Sequence, residues 1–409
     1  NKGLTTYHMN EGHAALMTMA LLETKLGGRP LNHASEEDHA YVRSLCAFTT
    51  HTPVPAGHDS FPIALVEKTL GRDYAELFTA LEVCPEGRLN MSHLALKHSR
   101  YTNGVAKRHG EVSRQMFPDY DIQAITNGIH AGKWAADPMA KMFDQHIPQW
   151  RRDNYYLRDA IELPLNDLAK ARQSSKEQLF AAIEQSVHVK LDPAVFTIGF
   201  ARRAAEYKRG NLFFHDLERL KKAADQGKGL QIVFAGKAHP KDEGGKELIA
   251  KICEALGELH GSKVKGVYIP NYGMEWGKLI CGGVDLWLNN PVKPLEASGT
   301  SGMKAALNGI PSFSTLDGWW VEGCVEGITG WEIEDEAYAF GQGKEEDEKF
   351  RRDTAQKLYD KLEQVILPLY YNEPDKYWEV ARYSIALNAP FFNTQRMMEQ
   401  YNHLAYSHH

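Results

Sequence analysis

The sequence holds no run of about 18 apolar residues, so no ordinary membrane-spanning helix, and no membrane partner, is expected. It has no C-x-x-C pair and no H-E-x-x-H segment, so the usual sequence grounds for a zinc site are missing and no metal is expected. A basic excess is missing as well. The formal net charge is −6, which gives nucleic acid or an anionic surface no general electrostatic hold. There is no internal repeat and no low-complexity tract. Cysteines are few: Cys46, Cys84, Cys253, Cys281 and Cys324 are odd in number and widely spaced. They fit buried thiols in a reducing cytoplasm better than a disulfide framework, and a cytoplasmic location is expected. The opening "NKGLTTYHMNEGH" has no starting Met and no apolar signal core, and reads like the middle of a larger protein. The closing "HLAYSHH" reads equally as natural sequence or as the remnant of a tag.

What is present is an ordinary globular composition: 409 residues, 43% hydrophobic and 24% charged, enough for two or three domains with full cores. The second half is the more legible. "AVFTIGFA", "LQIVFAGKA", "KVKGVYIPNY", "VDLWLNN" and "IPSFSTLDG" read as short strands. Between them, "NLFFHDLERLKKAADQGKG", "KELIAKICEALGEL", "GKLICGG" and "MKAALNG" read as helices. Strands alternating with helices predict a doubly wound parallel sheet, which binds ligands beyond the carboxyl ends of its strands. In the first half, "GHAALMTMALLETKL" reads as a helix ending near Gly27, while "RSLCAFTTHTPVPAGHDSF" and "DIQAITNGIHAGKW" read as strands running into loops. We expect one unit over 1–190, a second over 194–345, and C-terminal helices over 350–409. The polar "GQGKEEDEKFRRD" marks the end of the second sheet. Beyond it, Leu358, Leu362, Val365, Ile366 and Leu369 form one helical stripe that Pro368 would end or kink.

Several constellations could carry chemistry. In "PLEASGTSGMKAALNG" the near-bare loop "SGTSG" could offer backbone N–H groups to an anion, or could simply be a helix cap. Lys304 behind it is either a surface lysine or one held against something anionic or electrophilic. Such a lysine, partly desolvated among cations, has a lowered pKa. Arg202, Arg203, Lys208 and Arg209 follow the first strand of the second sheet, suited to phosphate or forming a solvated patch beside Glu206. His13, His51 and His58 lie in loops, where hydrogen bonding to a polyol is a better use than metal binding. "LDGWWVEG" mixes Trp and acids as sugar-stacking sites do, although packing between domains explains it equally well.

Taken in order, the stretches "NEGHAAL", "THTPVPAGHD", "TNGIHAGKW", "EYKRGNL", "VFAGKAHP", "NYGMEWGKLI", "EASGTSGMKAALNG" and "LDGWW" resemble the α-glucan phosphorylases over nearly the whole chain. This is the glycogen and maltodextrin phosphorylase family. "PVKPLEASGTSGMKAALNG" with "LDGWWVEG" is more similar to its shorter prokaryotic branch than to the animal enzymes. The resemblance implies an α/β fold of GT-B type, in which two Rossmann-like doubly wound domains face a cleft and the C-terminal helix returns to the first.

It also implies roles. Lys304 would anchor pyridoxal 5'-phosphate, with Thr300, Ser301 and Arg202 nearby, Trp134 packed against the cofactor, and Tyr207 and Tyr272 walling the site. Arg203 and Lys208 would hold the substrate and cofactor phosphates. The catalytic set is therefore Lys304, Arg203 and Lys208. His51, Asn127, Glu296, Ser298 and Gly299 would bind the transferred glucose, with Glu11 and His13 towards the acceptor. The implied reaction is reversible phosphorolysis of α-1,4-glucan, with retention, to glucose 1-phosphate and a shorter chain. Long-chain phosphorylases have an arginine after the site tyrosine. Gly273 stands there in this chain, so one phosphate contact is absent or replaced. The family's N-terminal Gly-rich loop is not among these residues, so association with a missing N-terminal segment, or a homo-oligomer, is expected. Two other functions compete: a nucleotide-sugar glucan synthase of the same architecture, which would have no use for the Lys304 motif, and a glucan-binding fragment without turnover.

Overall fold

The computed structural model describes residues 4–54, 57–339 and 341–407. Pro55 and Ala56 of "THTPVPAGHD", the first three residues and the last two histidines lie outside these, as does Phe340. The chain divides into two compact units, residues 1–126 with 397–409, and residues 127–396.

The first unit is built on a parallel sheet of order β1-β2-β5-β6: β1 (Tyr7–Asn10), β2 (Cys46–Thr49), β5 (Tyr101–Gly104) and β6 (Gln123–Ala124). A short antiparallel pair, β3 (Ser60–Pro62) with β4 (Arg88–Asn90), stands apart from it. The helix read from "GHAALMTMALLETKL" runs Met17–Leu26 and stops at Gly27, whose φ of 59° supplies the left-handed turn that ends it. The last residues return to this unit. Tyr401 and Ala405 pack on Ala47 and Ile125, and the Thr49 hydroxyl meets His8 Nε2 at 2.7 Å and the Tyr401 hydroxyl at 3.1 Å.

The second unit carries a parallel sheet of order β12-β11-β10-β7-β8-β9. Its strands are β7 (Thr197–Ala201), β8 (Leu230–Ala235), β9 (Val264–Ile269), β10 (Leu286–Asn289), β11 (Ser312–Ser314) and β12 (Gly330–Glu332). Alternation explains the double cover. Ile198, Phe200, Ile232, Phe234, Leu286 and Leu288 enter one core. Ala201, Val233, Ala235 and Trp287 enter another with Leu179, Phe180 and Ile280. Gly199 is required here, because a Cβ would stand 2.8 Å from Val284. Asp216 and Asp242 cap the crossover helices Leu217–Asp225 and Glu243–Glu258 by accepting from Arg219 N and Gly245 N, each at 2.9 Å.

The units divide at 126/127 rather than at the expected 190/194: Ile129, Met139, Phe143, Trp150 and Leu157 share one core with Met303, Leu307 and Trp319, and a buried ion pair ties in the helix that follows. Lys176, on the helix Leu165–Val187, donates to Asp285 Oδ2 at 2.6 Å and to Val195 O at 2.7 Å, with both side chains almost fully enclosed. That pins the helix beneath β7 and β10. The C-terminal return is also narrower than expected: Leu358, Leu362, Ile366 and Tyr377 belong to the second unit's own core. A π-helical turn at Leu362–Ile366 precedes Pro368 and re-phases the stripe. As a result Val365 is exposed while Leu362 and Ile366 are buried. The expectation of buried thiols also needs correction, since Cys253 lies exposed on the surface of its helix. Among the described residues no helix is long and apolar enough to cross a membrane.

Candidate active site

The sheet of the second unit runs outward from β7 through β8 to β9, then resumes on the other side of β7 with β10. The β7/β10 boundary is therefore the topological switch point, where exit loops diverge and leave a crevice. Arg202 follows β7, its N–H bonded to Ala235 O at 3.0 Å, so its main chain is fixed at the strand end. The loop after β10 brings Glu296 to it. Arg202 Nη2 and Glu296 Oε2 form a buried ion pair, and Lys208 Nζ lies 3.4 Å from the same oxygen. Arg202 Nη1 is buried and has no partner among the described residues, as is also true of Ser298 Oγ. Burial works to raise the Glu296 pKa, but Arg202 and Lys208 outweigh it and hold the carboxylate below its ordinary range. Burial, with Arg202 and Arg203 beside it, lowers Lys208 to about 8 against the opposing pull of Glu296. At neutral pH the cluster holds one carboxylate between two cations, with a guanidinium nitrogen still unpaired.

The other members of the basic run separate. Arg203 is exposed, with its guanidinium near the Tyr207 side chain, and Tyr207 O accepts from Val292 N at 2.8 Å. Arg209 is not a phosphate ligand. It is buried against Asp335 at 2.6 Å and donates to Asn290 O and Pro291 O at 2.7 and 3.1 Å, stapling the β10 exit.

Lys304 lies on the helix Thr300–Leu307, half-buried, with its Nζ 3.6 Å from the centre of the Trp134 ring. Among the described residues no hydrogen bond or ion pair engages its amine. Burial lowers its pKa, Cys281 opposes, and Lys133 adds to the lowering. Asn308, one turn on, fixes the geometry: its amide donates to Trp134 O at 2.9 Å and to Lys304 O at 2.8 Å, and its oxygen accepts from Ala136 N at 2.7 Å. Tyr272 and Trp134 both border the space beside Gly277, where a Cβ would meet the Tyr272 hydroxyl at 3.3 Å and the Trp134 ring at 3.7 Å. Thr300 and Ser301 form the first turn of the Lys304 helix, and the Cys281 thiol approaches Ser301 O at 3.8 Å.

The glycines of "SGTSG" have a use the sequence did not reveal. A Cβ on Gly302 would stand 2.8 Å from the Trp319 ring, and one on Gly299 at 3.1 Å. Trp319 and Trp320 are each only 1% exposed, in a core with Phe392 and Ala389. The sugar-stacking reading of "LDGWW" is therefore overturned: these rings support the loop from beneath and offer no face to a ligand. Asn127 is not joined to the Glu296 group by any hydrogen bond among the described residues, and its carbonyl accepts from Arg396 at 3.1 Å.

A second group belongs to the first unit. Glu11, held at φ 78°, accepts from Gly12 N, His51 N and Thr52 Oγ1, each at 2.8 Å. Both its oxygens are thus used to set the loop that presents His51. The His51 ring hydrogen-bonds Asn10 Oδ1. Burial, then His13, lowers the His51 pKa against Glu11, leaving a neutral ring suited to hydrogen bonding. His13 is exposed.

The profile of the family described as carbohydrate phosphorylase matches residues 73–368. The maltodextrin phosphorylase of Thermococcus litoralis is 38% identical, covering 98% of this chain and 50% of its own length. The glycogen phosphorylases of Mycobacterium tuberculosis and Aquifex aeolicus are 33% and 34% identical, covering 97% and 98% of this chain and 50% and 62% of their own lengths. The chain thus spans about half the length of the first of these relatives. It belongs to the carbohydrate phosphorylase family.

Proposed function

We propose that this chain carries the phosphate and cofactor side of an α-glucan phosphorylase, catalysing reversible, retaining phosphorolysis of α-1,4-glucan to glucose 1-phosphate. In this reading the fold is of GT-B type. The unit with Glu11, His13 and His51 serves the glucan, and the unit with Lys304 serves the cofactor and phosphate. The observation that carries it is the Arg202–Glu296–Lys208 cluster with its unpaired, buried Arg202 Nη1. A buried cationic nitrogen without an acceptor is costly unless an anion meets it.

The residues fit pyridoxal phosphate. Lys304 has a depressed pKa, so more of its amine is neutral and able to bond a carbonyl, and it lies under a flat aromatic ring. Lys304 would hold the cofactor with Thr300, Ser301, Trp134 and Tyr272 around it. When bound, pyridoxal phosphate would supply a phosphate group able to pass a proton to and from the substrate phosphate. Arg202, Arg203 and Lys208 would neutralise the two phosphates, whose mutual repulsion would otherwise keep them apart. Glu296, Ser298, the Gly299 main chain and Asn127 would orient the glucose hydroxyls, with Tyr207 excluding water beside them and His51 offering a neutral ring.

The test is phosphate-dependent release of glucose 1-phosphate from maltodextrin, with pyridoxal phosphate supplied. Release with phosphate and none without it supports the proposal. Turnover of ADP-glucose or UDP-glucose would replace it with a synthase, and saturable glucan binding without any turnover with a binding role.

A further inference from the structure

The loops leaving β10 and β11 run past one another at backbone contact. A Cβ on Gly318, at φ 55°, would stand 2.5 Å from Ser298 O and 3.1 Å from Glu296 O, and Trp319 N donates to Ser298 O at 2.8 Å. Between these loops lies Asp317, 3% exposed. One carboxylate oxygen accepts from the neighbouring Gly318 N at 2.9 Å. The other reaches across to Glu296 N and accepts from it at 2.8 Å. The first bond is local to its own loop. The second fixes the main chain of the residue whose side chain bridges Arg202 and Lys208.

We infer that Asp317 is a positioning residue, which sets Glu296 and Ser298 for sugar and phosphate binding by clamping the β10 exit loop onto the β11 exit loop. The inference rests on the function proposed above for that site. Glu296 is gripped at both ends: its carboxylate by cations from the β7 exit, its amide by Asp317. Loss of the amide grip lets the carboxylate drift from Lys208 and lets the Ser298 hydroxyl turn away.

The test is a double-mutant cycle on the full chain, crossing Asp317→Asn and Asp317→Ala with Glu296→Gln. Two readouts are taken: the titration of the Lys208 ammonium by nitrogen-15 NMR, assigned with Lys208→Arg, and glucose 1-phosphate affinity by calorimetry. Among the described residues, Arg202 and Arg203 act on Lys208 to lower its affinity for a proton and Glu296 acts to hold the proton on, with the Tyr207 ring facing it at 5.0 Å. In Asp317→Ala, Lys208 titrates at lower pH than in the parent, and affinity falls roughly tenfold, the loss expected for one hydrogen bond to a charged group. Asp317→Asn keeps a carbonyl acceptor and its size, so it folds where Ala fails and lies between. In the Glu296→Gln background the Lys208 titration no longer responds to these substitutions, and the affinity loss shrinks to the part carried through Ser298. Equal losses in both backgrounds, or a Lys208 titration unmoved by either substitution, would overturn the inference. A parent chain that binds no glucose 1-phosphate counts against the proposed function instead, and the Lys208 titration then decides the role of Asp317 alone.

Discussion

Glu296→Gln is the perturbation with the most to reveal. It removes the carboxylate that bridges Arg202 and Lys208 and changes side-chain volume little. At the 3.4 Å separation from Lys208 Nζ, and an effective dielectric near 20, the lost attraction is about 5 kcal/mol. Lys208 does not bear all of it. Its pKa is already about 8, so at pH 7 it can shed its proton for about 1.4 kcal/mol. Arg202 has no such escape, since guanidinium stays charged at any relevant pH, and its side chain is 4% exposed. The net destabilisation should therefore be about 3–5 kcal/mol, the range for a buried charge deprived of its partner. The assay is denaturant unfolding at pH 7, in chloride and in phosphate at equal ionic strength. Phosphate takes the vacated place, so the variant should gain more from it than the parent does, about 2.7 kcal/mol at one hundred times its dissociation constant. A variant as stable as the parent in chloride, or one that gains no more from phosphate than the parent, would refute the reasoning.

Other consequences follow from the same geometry. Phosphate affinity should weaken above about pH 8 as Lys208 loses its proton, by up to about tenfold per pH unit, measured by calorimetry from pH 7 to 9.5. The sign for stability is opposite: the unfolded chain binds that proton more tightly, so this group's contribution rises between pH 8 and the ordinary lysine range. The buried His39–His98 pair, at 3.0 Å, acts at the acid end. Burial lowers His98 to about 4, so its contribution is full above the ordinary histidine range and is lost as pH falls towards 4. The amount is about 3 kcal/mol. Melting curves between pH 4 and 7 should show that slope, and His98→Gln should flatten it. Gly302→Ala should cost about 1–3 kcal/mol by overpacking Trp319, read from the denaturant midpoint.

Strands β7, β8 and β10 were legible because each is a short, mostly apolar run buried on both faces, while β9 and β11 were legible from their place in the strand–helix alternation. β1, β5 and β12 were not. "YHMN" and "YTNG" are polar segments that pair only because neighbouring strands satisfy their backbones, and "GWE" is too short to carry a period. The polar "GQGKEEDEKFRRD" hid a helix start at Lys344, whose first turn holds Glu345, Glu346 and Asp347, favourable at the positive end of a helix. In the site, motif order pointed to Lys304, Arg202, Lys208 and Glu296, and the structure brings Arg202, Lys208 and Glu296 together. Asp317 and Asn308 were invisible as functional residues. Each is a single polar residue whose meaning lies in a partner about 20 to 170 positions away, and no spacing rule reaches that far. Arg209 misled for the converse reason, since a fourth cation in a basic run turned out to serve the fold.

The central claim is that Lys304 is the cofactor anchor, and one measurement addresses it directly. Purified chain is incubated with pyridoxal phosphate, reduced with borohydride, digested and analysed by mass spectrometry, alongside near-ultraviolet absorbance of the unreduced sample. The account predicts a near-ultraviolet band that Lys304→Ala abolishes, and a pyridoxyl mass on the peptide containing Lys304. A mass spread over surface lysines such as Lys241 and Lys251, with Lys304 unlabelled and the band unchanged in Lys304→Ala, would contradict it.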